Sequence, residues 1–190
     1  MTTKLESVNT MLSCIGQAPI NTLEGTKSSN IVSAENILND EVENVQLSGW
    51  DFNTEEDYPL LPDQDGFIKL PLNTLNLKVE DTYYANQYSI RGTKLYDKIN
   101  HTYKIDKQLK AKIIFKLEFE DLSTVVQKYI TMSAANKFVK RALGSQTTYA
   151  YTMEDLAEAR AAMLKAEITD GEYSFIPEFQ NGEIRKSLWA

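Results

Sequence analysis

Two stretches with the three- and four-residue spacing of amphipathic helices flank a middle stretch that proline and glycine interrupt every few residues. This switch of period constrains the fold more than any other feature. Helical faces far apart in sequence that both need cover close most simply on each other, leaving the middle as an insertion. The class expected is α+β: a four-helix body, an inserted small antiparallel β lobe and an extended C-terminal tail. The segments are 1–50 for the first helix pair, 51–120 for the strand-rich lobe, 121–171 for the second helix pair and 172–190 for the tail.

The first helical face is Val8, Met11, Leu12 and Ile15, stopped by Gly16 and Pro19. Ile20 and Leu23 then follow before Gly25 turns the chain. The reading is a short helix with a fixed elbow. The polar triplet Ser28-Ser29-Asn30 offers cap candidates, and Ile31, Ala34, Leu38, Val42 and Val45 mark a second helix that Gly49 ends. Its opposite face carries Glu35, Asn39, Asp40, Glu43 and Asn44. At the handover to the lobe stands Trp50, whose ring serves as a wedge locking the angle between body and lobe, with a ligand-stacking platform as the minor reading. Gly16, Pro19 and Trp50 are therefore the expected structural hinge.

Turn chemistry recurs at Tyr58-Pro59, Leu61-Pro62, Asp65-Gly66, Leu70-Pro71 and Arg91-Gly92. Between these lie short strands. Leu75, Leu77 and Val79 alternate with polar residues, and Ile113, Phe115, Leu117 and Phe119 mark the clearest strand. Tyrosines at 83, 84, 88, 96 and 103 suit a small antiparallel sheet. After Asp121 the helical period returns through Leu122, Val126, Ile130, Ala134, Phe138 and Ala142, widened by Val125, Tyr129 and Val139 and closed by Gly144. Ser145–Tyr151 reads as a polar connection. Thr152 with Asp155 resembles a capping box for a fourth helix through Leu156, Ala159, Met163 and Ala166, ending near Asp170-Gly171.

The final stretch, Glu172–Ala190, has no sustained period yet carries Tyr173, Phe175, Phe179 and Trp189. A frayed terminus and a strap that orders against a partner chain both fit it. The aromatic anchors tip the balance toward the strap, and these four are the expected interface residues.

At 190 residues, 42% of them hydrophobic, the chain can bury a sizeable core. It holds no apolar run of about 18 residues to span a membrane, and its N-terminus lacks the apolar stretch of a secretory signal. A soluble protein made inside the cell is expected. The net charge of -7 argues against a tight grip on phosphates, while suiting a surface that lets a nucleic acid pass. One cysteine, Cys14, excludes an intrachain disulfide, and one histidine, His101, excludes a two-histidine metal motif. No cofactor, metal or catalytic group is expected. The best enzymatic candidate is a carboxylate pair drawn from Glu55, Glu56 and Asp57 and from Glu118, Glu120 and Asp121, which would suit hydrolysis of a cell-wall glycan. In so acidic a chain, a solvated loop and a strand edge are the simpler account of both clusters.

Several blocks together resemble a known family. They are Val8-Asn9, Ile15–Gly25, Ser48–Glu56, Leu60–Asp63, Leu95-Tyr96-Asp97 and Tyr129-Ile130. The chain resembles the tail tubular protein A family of short-tailed, T7-like bacteriophages, the head-to-tail adaptors. The resemblance runs from about Ser7 to Phe175; Gly92-Thr93-Lys94 stands where a glycine pair is usual, and the tail beyond Phe175 departs from the pattern. It implies a structural virion protein without enzymatic activity. The implied partners are further copies in a dodecameric ring, the portal protein above, the tail nozzle protein below and a tail fibre at the side, with DNA passing through unbound. It also implies a place in the virion tail after synthesis and assembly in the host cytoplasm. Another head-completion or tail structural subunit is the alternative.

Overall fold

The computed structural model describes residues 2–80, 86–142 and 146–170. The fold is α+β, with helices α1 (Lys4–Ser13), α2 (Ser29–Gln46), α3 (Thr124–Ala142) and α4 (Gln146–Asp170). The strands are β1 (Thr54–Leu60), β2 (Thr74–Val79), β3 (Tyr88–Arg91), β4 (Lys94–Asp97) and β5 (Leu109–Phe115).

A capping box starts α1: Thr3 Oγ1 accepts from the Glu6 N–H at 3.1 Å, and Glu6 Oε2 accepts from the Thr3 N–H at 2.8 Å. Its buried Val8, Met11 and Leu12 meet the α2 stripe of Ala34, Ile37, Leu38 and Val42. From the other end of the chain come Leu122, Val126, Ile130, Ala134 and Phe138, and Met163 from α4 joins the same cluster. Helical faces separated by more than a hundred residues thus share one core, as the periodicity requires.

The lobe has its own core, built from Leu60, Ile68, Leu70, Val79, Leu95, Ile105, Leu109 and Ala111. Its main sheet is antiparallel in the order β1-β5-β2, and β3 and β4 form a separate hairpin. Arg91 pairs with Lys94 across the two-residue turn Gly92-Thr93, where Gly92 takes φ +61. Pro59 lies inside β1 rather than in a turn. As an edge strand paired only with β5, β1 tolerates a residue that lacks an N–H.

Two further readings are corrected. The clearest strand begins at Leu109 and ends at Phe115; Leu117 has left the sheet, and Phe119 sits in a 3-10 turn, Phe119–Asp121, fully buried in the helical core. The residues continue the alternation while the chain changes bodies. The fourth helix starts at Gln146, so Thr152 is no cap: it is buried inside α4, where its hydroxyl lies 3.2 Å from the donating Asn136 amide of α3. Gly144, Tyr83, Tyr84 and the whole of 172–190, with Tyr173, Phe175, Phe179 and Trp189, lie outside the described residues.

Candidate functional site

At the joint where α2 hands the chain to the lobe, side chains fix the backbone from both sides. Helix α2 ends at Gln46, and Gly49 follows at φ +71, a conformation that side chains with a Cβ rarely take. A Cβ at Gly49 would also stand 2.6 Å from Ile114 Cδ1 on β5, so helix end and sheet approach each other across a glycine.

Three side chains then tie the joint together. Trp50 donates its indole N–H to the Val45 carbonyl at 2.7 Å and its backbone N–H to Asn53 Oδ1 at 2.9 Å. Asn53, buried, donates its amide to the carbonyls of Gln46 (3.0 Å) and Phe115 (2.8 Å). The fully buried Gln46 side chain donates to the carbonyls of Val42 (2.9 Å) and Leu117 (3.0 Å) and accepts from the Leu117 N–H at 2.8 Å. Each residue thereby uses both amide donors and its amide oxygen, holding the end of α2 against the chain leaving β5. Helix α4 reaches the joint as well, since Glu167 accepts from the Asp51 N–H.

The elbow after α1 is built in the same way. Gly16 adopts φ +72, and Gln17 donates its N–H to the Leu12 carbonyl at 3.0 Å, closing the helix. Asn9 brackets the Ile20 backbone, accepting from its N–H at 2.8 Å and donating to its carbonyl at 2.9 Å. Pro19 is exposed on the connecting loop. Sequence reasoning placed the elbow but missed the residue that clamps it.

A buried carboxylate joins α2 to α3. Glu41 is 3% exposed and accepts from Ser133, from Lys137 and, at 3.1 Å, from Asn44. Burial alone would raise its pKa, but the hydrogen bonds from Lys137, Ser133 and Asn44 together hold it below the ordinary carboxylate value. Glu41 was missed too. Its one sequence signal is an acid four residues after Ile37 and three after Leu38, on the apolar face.

The residues weighed for catalysis are not brought together as a chemical site. Glu56 and Asp57 lie exposed on edge strand β1 and pair with Lys112 and Lys110, each at 2.8 Å. Glu118 and Glu120 are exposed beside Lys4 at the start of α1, at 3.5 and 3.7 Å. His101 is exposed in the loop after β4, whose shape is set by buried Asp97 accepting from the backbone N–H groups of Ile99 (2.8 Å) and Asn100 (3.0 Å). Burial pushes the half-buried Cys14 thiol up, away from the reactive thiolate. Among the described residues no cluster of three or more His, Cys, Asp or Glu side chains offers a metal site. What the geometry does is fix one body against another.

A family model described as Tail tubular protein matches residues 5–173, which takes in the elbow, the joint, the lobe and all of α4. The chain belongs to the tail tubular protein family. It is 25% identical over 171 residues, 90% of each chain, to the tail tubular protein A of Klebsiella phage KP34. As a tail tubular protein it is a structural component of a bacteriophage tail. The blocks that carried the resemblance also gain physical roles: Asn9 and Gly16 form the elbow of this tail tubular protein, and Gly49, Trp50 and Asn53 form its joint. No helix among the described residues is long and apolar enough to cross a membrane.

Proposed function

We propose that this tail tubular protein is the head-to-tail adaptor of its particle. In this reading it is a ring subunit, twelve to a ring as the family resemblance implies, that binds the portal protein above and the nozzle protein below. It contributes to the fibre attachment site and to the conduit through which DNA leaves. The observation that supports this best is the joint of Gln46, Trp50 and Asn53, which sets a helical surface and a β surface at one fixed angle. A connector that meets different partners at two ends needs that property, and heterologous contacts between copies generate a ring when the rotation closes.

The working parts follow from the same reading. Residues 1–50 and 121–171 form the ring-building body, 51–120 the inserted lobe, and 172–190 a tail that engages a partner through Tyr173, Phe175, Phe179 and Trp189. Gly16, Pro19 and Trp50 set the orientation of the parts, and no catalytic step is involved. Assembly takes place in the host cytoplasm and the product resides in the virion tail. The net charge of -7 favours passage of DNA without binding.

Particle imaging of the purified protein, alone and mixed with the portal of its phage, tests the reading. The expected result is a ring of portal-matched diameter seated on the portal, unchanged when Glu55 and Glu118 are replaced by glutamine. A protein that binds nozzle protein but never portal would overturn it in favour of a different tail subunit.

A further inference from the structure

Helix α4 is apolar on two sides, and the described fold covers one of them. Thr152, Ala159 and Met163 turn inward and are buried. About 140° around the helix, Met153, Ala157, Ala161, Leu164 and Ile168 recur at the spacing of a second stripe. Met153, Leu164 and Ile168 are 43%, 40% and 52% exposed. Beside this stripe runs a groove of about 440 Å³ bounded by Tyr129 of α3 and by Leu156, Ala157 and Leu164. Among the described residues the one charged group lining it is Arg160.

The chain beyond α4 supplies a matching segment. Taken whole, 172–190 has no period, but its first part, Tyr173-Ser174-Phe175-Ile176-Pro177-Glu178-Phe179, puts Tyr173, Phe175, Pro177 and Phe179 on one side of an extended strand. From Met153 to Ile168 the helical stripe runs about 22 Å. Seven extended residues run about 23 Å. Gly171, directly after α4, is the residue type that lets a chain reverse. Glu172 and Glu178 are the charges in this part of the chain, opposite in sign to Arg160.

We propose that residues 173–179 fold back antiparallel along the open face of α4 in the same chain, with the aromatic rings on Met153, Leu164 and Ile168 and a carboxylate near Arg160. The stripe ends two residues before α4 does, so the effective concentration of the segment at its own groove is millimolar or higher, which favours the intramolecular contact over one from another copy. The inference goes beyond the adaptor reading and concerns the isolated protein, before the tail meets the partner assigned to it above; no portal or nozzle is needed to test it.

The test uses the full chain with 13C-labelled methionine methyls. Met153 lies on the open stripe, and buried Met163 reports on the fold. A docked tail holds aromatic rings over Met153, so its methyl should be shifted upfield. The double substitution Phe175→Ser with Phe179→Ser should move that methyl back downfield, leaving only what the Tyr129 ring in the same groove contributes, while Met163 stays in place. Chymotrypsin cleavage within 173–179 should accelerate about tenfold in Leu164→Glu, the factor given by ~1.4 kcal/mol of lost docking. A Met153 methyl unmoved by the double substitution overturns the proposal. So does an upfield shift that disappears on dilution, since that assigns the groove to the tail of a second copy.

Discussion

Replacing Asn53 by alanine is the sharpest test of the joint. The substitution removes the two donors held by the Gln46 and Phe115 carbonyls and the acceptor held by the Trp50 N–H. Asn53 is 3% exposed, so alanine leaves a space that water does not readily fill with the same geometry. A buried group left unpaired costs roughly 1–3 kcal/mol. With two carbonyls at the lower part of that range and a half-buried N–H contributing less, the expected loss is about 2–4 kcal/mol. Whole-domain stabilities are on the order of 5–15 kcal/mol, so this is a large fraction. Urea unfolding followed by tryptophan fluorescence reads it directly, because Trp50 sits at the joint. The transition should move to lower urea with little change in slope. Asn73→Ala is the control: that amide meets the Lys116 carbonyl at 3.2 Å in an exposed position, and its loss should stay within about 0.5 kcal/mol. Gln46→Ala combined with Asn53→Ala should be non-additive by more than about 0.5 kcal/mol, because both hold the chain leaving β5. If Asn53→Ala costs under 1 kcal/mol, or adds cleanly to Gln46→Ala, the joint is not the device described.

Three other outcomes are expected. Glu41→Gln should destabilise by about 1.5–3 kcal/mol at neutral pH, the range for hydrogen bonds to a charged group. The Glu41 carboxyl is held below its unfolded value, so its contribution is present above that value and lost as pH falls through the folded one; wild type and Glu41→Gln should therefore converge in chemical denaturation as pH drops below the ordinary carboxylate range. Gly49→Ala meets both a left-handed backbone and Ile114 Cδ1 at 2.6 Å, so a loss of about 1–3 kcal/mol is expected by thermal melting. Adding Ile114→Ala should recover the steric part and leave the backbone part. Cys14 should react with a thiol reagent more slowly than an unfolded-chain cysteine at pH 8, because burial keeps it protonated; equal rates would count against that placement.

The helical stripes were legible because burial on one face leaves a periodic trace. Ala34, Leu38, Val42, Ile130 and Phe138 all lie where the spacing puts them. Element ends were harder. Nothing in the alternation of Phe115, Leu117 and Phe119 marks where the sheet stops, because the next apolar residue in phase belongs to the helical core. The first turns of α4 contain Gln146, Thr147, Thr148 and Tyr149, whose polarity and modest helix propensity disguised them as a connection. The joint and the charged staple were least visible. Asn9, Glu41, Gln46 and Asn53 do their work by satisfying backbone groups and one another, and those partners are set by tertiary approach, not by spacing. A sequence shows such residues only as polar interruptions on an apolar face.

The separation of the two cores has a mechanical side. The clusters around Phe119 and around Leu95 share no residue, and the chain passes between them through the Gln46–Asn53 joint, where hydrogen bonds act beside the apolar contacts of Trp50, Phe52 and Leu117 with the helical core. Contacts of both kinds are short-ranged: a gap of about 0.5–1 Å forfeits a quarter to a half of a dispersion contact, and a hydrogen bond weakens steeply as its angle closes toward about 120°. Pulled or twisted, the molecule should therefore give first at this one joint, with each block keeping its own core.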